Sequence, residues 1–347
     1  MHPPYLLAPT ISPSAGSASE GMTNSVAKIV PESSSMLYPT VPNSAAPTFV
    51  PQLASGSVYG GSCENMAEVT SGSVDLIVTS PPYWVSPEDT LLAPALLRNK
   101  RGSTPGNYEG LLVLLDRCFA EMWRVLKPGG FLCINVASTL VKGKLYPLPF
   151  DLSVRLVVAG WEFKEEIIWR RWRGWDRRAG NLIQNPYPGR FYPNRVFEYV
   201  LVFKKPGPPI YEGRSEHDKQ DSRIPIDDLL TKEIANSIWT ILPEHQSRRK
   251  GGHPCPFPEE LAYRLITLYS YKNDVVLDPF TGSGTTGKVA RLTGRRFFGY
   301  EVNPRFAQVA CERLKETEIR RERRVCRFDL LESVHEKAPT PVPAESD

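Results

Sequence analysis

The sequence predicts an α/β protein built on a mostly parallel, doubly wound sheet. Three observations carry that expectation. Short apolar strand candidates alternate with amphipathic helices, a glycine-rich turn joins one strand to a helix, and a Pro-Pro turn ends another strand. At 347 residues, 41% of them hydrophobic, the chain can bury one large α/β domain, with or without a small insertion.

Residues 1–51 hold nine prolines and nine serines but only three charged side chains, Glu20, Lys28 and Glu32. A segment so poor in apolar periodicity cannot repay its ordering entropy, so disorder is expected there. Met22 and Met36 are alternative starts, and the absence of a basic residue before Lys28 argues against a signal peptide. A catalytic half is expected over 52–205. Its first strand is Val74-Asp75-Leu76-Ile77-Val78, which runs into the Pro-Pro turn. Tyr108, Leu111, Leu112, Leu115, Phe119, Met122, Trp123 and Leu126 recur at three-to-four spacing and predict a helix. Lys127-Pro128-Gly129-Gly130 should stop that helix, and Phe131 to Val136 should form the next buried strand.

Residues 206–246 break the rhythm. They are polar, mixed in charge and poor in periodicity, as expected of an inserted recognition segment. A second half follows over 247–335. Val275-Val276-Leu277 enters the glycine-rich turn, and a helix should run to about Thr293 with Gly294 as its stop. Phe297 to Val302 reads as a strand. Asn303-Pro304 then caps a helix bearing Phe306, Val309, Ala310 and Leu314. Residues 336–347 read as a flexible tail.

Several function classes drop out early. No apolar run approaches the roughly 18 residues that span a bilayer. Cys63, Cys118, Cys133, Cys255, Cys311 and Cys326 show no metal-ligand spacing, so buried thiols and no metal are expected. The net charge of +4 permits a nucleic-acid partner without requiring one.

Two turns carry the chemistry. In Asp278-Pro279-Phe280-Thr281-Gly282-Ser283-Gly284-Thr285 the glycines let backbone approach a ligand, and amides at the helix start can bind an anionic group. Glu301, at the end of the next strand, stands where ribose hydroxyls are usually bound. The loop lacks the Lys-Ser/Thr of a phosphate loop, which disfavours ATP hydrolysis. The bland alternative is a tight turn with no ligand. In Thr79-Ser80-Pro81-Pro82-Tyr83-Trp84, two prolines rigidify the turn and remove two donors. Carbonyls and the Ser80 hydroxyl can then accept from an amino group, while Tyr83 or Trp84 offers a stacking face. A plain strand-ending turn is the competing reading.

With both turns in this order, the chain resembles the β-group amino-methyltransferases of DNA, of the N4-cytosine type, over roughly Val58 to Leu314. Arg124-Val125-Leu126-Lys127-Pro128-Gly129-Gly130, Phe197-Glu198-Tyr199-Val200-Leu201-Val202-Phe203 and His253-Pro254-Cys255-Pro256-Phe257-Pro258 extend the match. The resemblance implies a Rossmann-like methyltransferase fold with a seven-stranded sheet and S-adenosylmethionine as cofactor. By the same resemblance the cofactor would meet Asp278, Phe280, Thr281, Gly282, Ser283, Gly284, Thr285, Glu301 and Asn303, with His253 and Pro254 near its methionine end. Ser80, Pro81, Pro82 and Tyr83 would form the catalytic pocket. One departure is Tyr59-Gly60-Gly61-Ser62, where relatives commonly carry Gly-Asp. Cys63 or Glu64 are candidates to replace that acid.

The implied reaction is site-specific methylation of the cytosine 4-amino group in double-stranded DNA, by direct attack from a flipped-out base. Adenine-modifying relatives more often carry Asp at the Ser80 position, so cytosine is preferred over the adenine 6-amino group. Ring-carbon methylation needs a cysteine nucleophile, and Cys255 lies in the cofactor-side motif. A catalytically silent DNA-binding relative would show damaged turns. Arg170, Arg171, Trp172, Arg173, Trp175, Arg177 and Arg178 pack arginine against tryptophan and are candidates for phosphate neutralisation and base stacking. Arg248, Arg249 and Lys250 form a second basic cluster. A partner endonuclease, a homodimer and a cytoplasmic, nucleoid-associated place are compatible with this reading.

Overall fold

The computed structural model describes residues 56–84, 107–141, 143–171, 188, 195–231, 234–243 and 258–320. The disorder expected for residues 1–51 and the expected tail at 336–347 fall outside them.

Among the described residues eight strands form one sheet: β1 (Gly56–Gly60), β2 (Val74–Thr79), β3 (Leu126–Val136), β6 (Glu162–Arg170), β7 (Phe197–Lys204), β8 (Ile238–Thr240), β9 (Val275–Asp278) and β10 (Arg296–Glu301). Their spatial order is β1-β10-β9-β2-β3-β7-β6-β8, and every neighbouring pair is parallel except those made by β7. The sheet thus has one strand more than the seven expected. The extra strand, β8, pairs Ile168 with Ile238 and Arg170 with Thr240. It belongs to the span read as an inserted segment. Trp239 at its centre is fully buried and donates its indole N–H to the Ile234 carbonyl at 3.2 Å. Strands β4 (Thr139–Val141) and β5 (Lys144–Tyr146) form a separate hairpin.

The helices cover both faces. Those used below are α1 (Tyr108–Val125), α2 (Leu148–Val158), α5 (Glu259–Tyr269), α6 (Thr285–Leu292) and α7 (Pro304–Arg313); α3 (Glu216–Asp221) and α4 (Ile226–Thr231) are short, six residues each. Strand alternation sends Ile77, Leu132, Ile134, Leu201 and Phe203 to one core with α1 and α2. Leu76, Val78, Cys133, Val200 and Val202 face the other, with residues of α5, α6 and α7. The β2 sequence VDLIVT is buried throughout, as a central parallel strand must be.

Helix α1 buries Leu111, Leu112, Leu115, Cys118, Phe119, Met122 and Val125, and the Asn107 side chain caps it by accepting from Gly110 N. The expected stop at Lys127–Gly130 is instead the start of β3, which begins five residues before Phe131 because Leu126 already pairs with Val74. Gly129 makes that possible with a φ of +82° and a close approach to Pro208, whose carbonyl oxygen would lie 2.0 Å from an added Cβ. At the other end of the chain Gly294, φ +79°, follows α6 as anticipated. Asn303 caps α7 with Pro304 in its first turn. The buried face of α7 is Ala307, Ala310 and Arg313, continued by Leu314, whereas Phe306 and Val309 are only half buried. Among the described residues no helix is long and apolar enough to cross a membrane, and no cluster of His, Cys, Asp or Glu could hold a metal ion.

Candidate active site

From β2 the chain crosses to β3 on one side, and from β9 it crosses to β10 on the other. The switch point therefore lies between β2 and β9, and ligands in open α/β sheets bind beyond the carboxyl ends of strands at such a point. The Ser80–Trp84 turn leaves β2 there, the 279–284 loop leaves β9, and Glu301 ends β10.

Asp278 ties the two turns together. Its Oδ1 accepts from Thr79 Oγ1 at 2.7 Å and from Phe280 N at 3.1 Å, and its Oδ2 accepts from Thr286 Oγ1 at 2.6 Å. The group is wholly buried, and that burial pushes its pKa up to about 6 against the three donors. Gly282, φ +51°, donates its N–H to Glu301 Oε2 at 3.0 Å, and Asn303 N–H donates to Oε1 at 2.8 Å. Burial raises the Glu301 carboxyl, with Asp278 adding to the rise and the two N–H donors opposing it.

Behind the loop sits a buried ion cluster. Glu259 accepts from Lys288 Nζ at 2.8 and 2.9 Å, from Arg313 at 2.6 Å and from Arg320 N at 2.7 Å. Burial would raise this carboxyl, but the donors outweigh it and hold it below its ordinary value. Arg313 reaches on to Ser283 Oγ at 3.1 Å and Thr285 Oγ1 at 2.7 Å. Gly284, φ +79°, lets α6 and α7 meet, since an added Cβ would stand 2.8 Å from the Ala310 Cα.

On the other side of β2, Tyr83 is half buried and donates its hydroxyl to Glu198 Oε2 at 2.8 Å. Asn135 Nδ2 donates to the same oxygen at 2.7 Å, and Arg171 pairs with Glu198 Oε1 at 2.8 Å. Trp84 is buried edge-on to Tyr108 and Tyr146, with centroids at 6.4 and 6.1 Å, so of the two aromatic side chains in the turn Tyr83 is the more exposed.

The sequence matches the family of DNA methylases of the N6/N4 type over residues 74–312. The chain belongs to that family. It is 31% identical to the type II methyltransferase M.MthZI of Methanothermobacter thermautotrophicus over 278 residues, which cover 75% of this chain and 76% of that one. The orphan methyltransferase M.BamHII of Bacillus amyloliquefaciens is 28% identical over 78% and 99% of the two chains. TTHA0409 of Thermus thermophilus, described as a DNA modification methylase and solved with S-adenosyl-L-methionine, shows 34% identity and a TM-score of 0.57, covering 74% of this chain and 93% of its own. The cytosine-N4-specific PvuII DNA methyltransferase shares the fold at 20% identity and a TM-score of 0.58, over 77% and 89%.

In this methylase the residues singled out from sequence divide into three groups. Ser80, Pro81, Pro82 and Tyr83 follow the end of β2, Phe280, Thr281 and Gly282 follow the end of the adjacent β9, and Glu301 ends β10 beside it. A second group turns inward. Both oxygens of Asp278 serve protein donors, the hydroxyls of Ser283 and Thr285 serve Arg313, and the Asn303 side chain caps α7 by accepting from Arg305 N at 3.0 Å. Cys63 is buried and Glu64 is paired with Arg117 at 2.6 Å. Arg171, expected on phosphate, is committed to Glu198, because the end of β6 lies beside the start of β7. The third group lies outside the described residues: His253, Pro254, Cys255, Trp172, Arg173, Trp175, Arg177, Arg178, Arg248, Arg249 and Lys250. Arg170 is exposed at the end of β6. Asn135, Glu198, Glu259 and Arg313 were not singled out, although an Asn and a Glu inside otherwise apolar strands were a visible signal.

The raised Asp278 pKa has a consequence for stability. The folded state holds this proton up to about pH 6, whereas an unfolded Asp releases it near 3.8. The resulting stabilisation is complete below the unfolded value and lost as pH rises through 6, a swing of about 3 kcal/mol. Asp278→Asn should flatten that part of the profile in urea melts between about pH 4 and 7. An unchanged slope would remove Asp278 as its source.

Proposed function

We propose that this methylase transfers a methyl group from S-adenosylmethionine to the 4-amino group of cytosine in duplex DNA. The observation that carries the reading is the joining of two intact turns, one rich in acceptors and one rich in glycine, by the Thr79–Asp278 hydrogen bond at the switch point.

The loop fits the cofactor. Thr281 Oγ1 is buried with no partner among the described residues, and the N-cap of α6 is Gly284, which supplies no side-chain cap. Phe280, Thr281, Gly282 and Glu301 would hold the cofactor, which when bound supplies an electrophilic methyl group on a sulfonium sulfur. The chain's own residues do the rest. Ser80 Oγ and the Pro81 carbonyl accept the amino protons, which draws the nitrogen lone pair out of conjugation. Tyr83 faces the base, and the rigid Pro-Pro turn holds the nitrogen in line. With the N–C bond formed and the methyl–sulfur bond broken, which leaves a neutral thioether, the cationic nitrogen would release a proton to solvent. No protein nucleophile is needed. Cys133, two residues before Asn135 on β3, is fully buried, and that burial raises its thiol well above the ordinary value. Arg170 and the basic stretch after it would meet the DNA backbone, and the type II relatives support a context that includes a cognate endonuclease.

Digestion of methylated DNA to nucleosides, followed by mass spectrometry, tests the product. N4-methylcytosine is expected. N6-methyladenine would correct the base and keep the mechanism, and 5-methylcytosine would overturn both. Gly282→Val places a branched side chain at a left-handed φ beside Glu301. Titration calorimetry should then detect no S-adenosylmethionine binding, and normal affinity would sink the loop assignment.

A further inference from the structure

Asn135 presents an unusual oxygen. It is only 4% exposed, and its Oδ1 has no partner among the described residues. An orphaned buried acceptor carries a desolvation cost that protein structures seldom leave unanswered. The orientation of this amide is not arbitrary. The carboxylate of Glu198, 6% exposed and paired with Arg171, can accept but not donate. The Asn135 nitrogen must therefore face Glu198, where it lies at 2.7 Å, and the oxygen must face the other way. Tyr83 enforces the same choice, because its hydroxyl donates to the same Glu198 oxygen and its own oxygen lies 3.3 Å from Asn135 Nδ2.

The position of this oxygen matters. Thr79 pairs with Ile134 across the parallel strands β2 and β3. The next residues, Ser80 and Asn135, thus come side by side at the carboxyl ends of their strands, with the Tyr83 hydroxyl 3.3 Å from Asn135 Nδ2. Ser80 can either donate or accept, because a hydroxyl rotates. An amide locked by a carboxylate can only accept on its free side. A cytosine or adenine amino group offers a proton there, whereas the keto oxygen of uracil or hypoxanthine offers only a lone pair.

We propose that Asn135 Oδ1 is a catalytic acceptor for the target amino group, sharing one of its protons with Ser80, and that Glu198 is the positioning residue that locks it in that sense. The pair selects amino over keto bases. The proposal rests on the amino-methyltransferase reading but holds for either base, since the discriminating atom is the exocyclic one.

The test uses the full chain and a duplex carrying its recognition site, read from methylated host DNA. A second duplex carries the keto counterpart of the target base, uracil for cytosine or hypoxanthine for adenine. Asn135→Leu should lower kcat roughly 10- to 100-fold with S-adenosylmethionine affinity unchanged. Glu198→Gln frees the amide to turn its NH2 into the pocket. It should lower kcat to a similar degree and reduce the binding preference for the amino duplex over the keto duplex about tenfold. The double variant N135D/E198Q exchanges the two groups. The amide introduced on β7 can then donate to the carboxylate introduced on β3, whose second oxygen again faces the pocket as an acceptor. Both kcat and the preference should recover above either single variant. A purely structural role predicts no change in the preference and no such recovery. Wild-type kcat in Asn135→Leu, an unaltered preference in Glu198→Gln, or a double variant no better than the singles would each overturn the proposal. A wild-type protein that methylates no DNA overturns the amino-transfer reading, and the proposal with it.

Discussion

Glu259→Gln should cost about 3–5 kcal/mol of folding stability. The Glu259 carboxylate is buried and neutralises two cations, Lys288 and Arg313, whose side chains are each 1% exposed. Glutamine keeps the shape but removes the charge. Glu316, one-third exposed, still pairs with Lys288. Losing one partner of a buried ion cluster strands the others, which is far more costly than the net worth of the pairing. For a domain of this size the loss corresponds to a melting temperature lower by about 10 °C. Calorimetric melting decides it, and a fall of less than about 3 °C would mean that water reaches the cluster. Arg313 also holds Ser283 and Thr285, so weaker cofactor binding should accompany the loss of stability.

Trp239→Ala should be nearly as severe, at about 3–5 kcal/mol. The indole is fully buried between sheet and helix, with the Arg264 guanidinium 5.3 Å from its ring centroid and its N–H on the Ile234 carbonyl. The surrounding Ile241, Leu261 and Leu265 belong to one core with β2 and β9, so the site has little freedom to collapse. A urea midpoint that moved by less than the equivalent of about 1 kcal/mol would show that the span around β8 folds apart from the sheet. The prediction runs against the sequence-based picture of 206–246 as one insertion, because part of that span is the edge of the sheet.

That contrast marks where the sequence is legible. Asn303-Pro304 and Gly294 could be read because capping chemistry is local, and the residue that satisfies a helix end lies within a turn of it. Helix α1 could be read because its apolar residues repeat over five turns. Strand β8 could not, since three residues in a polar span carry no period. The basic stretch invited a uniform reading by density. The structure gives Arg171 a different task because its partner, Glu198, arrives from β7 across the sheet. Ser283 and Thr285 looked like ligand contacts by their loop, yet Arg313 claims both hydroxyls from a helix 28 to 30 residues away. Asn135 is a polar residue inside the apolar run Phe131–Val136, but its meaning depends on which way its amide points, and Glu198 and Tyr83, distant in sequence, decide that.

The pairing of β2 with β9 also bears on how the protein is made. Leu76 lies beside Val276, so the centre of the sheet joins segments 200 residues apart, and β1 waits for β10 in the same way. A ribosome adding ~5–20 residues per second needs roughly 10–40 s to supply the second partner. Through that interval β2 can pair with β3 on one side while its other edge stays bare and apolar on both faces. The nascent chain is therefore exposed to association with its neighbours until the final third emerges, and a transcript cut short before β9 would yield aggregating fragments instead of a folded half-enzyme.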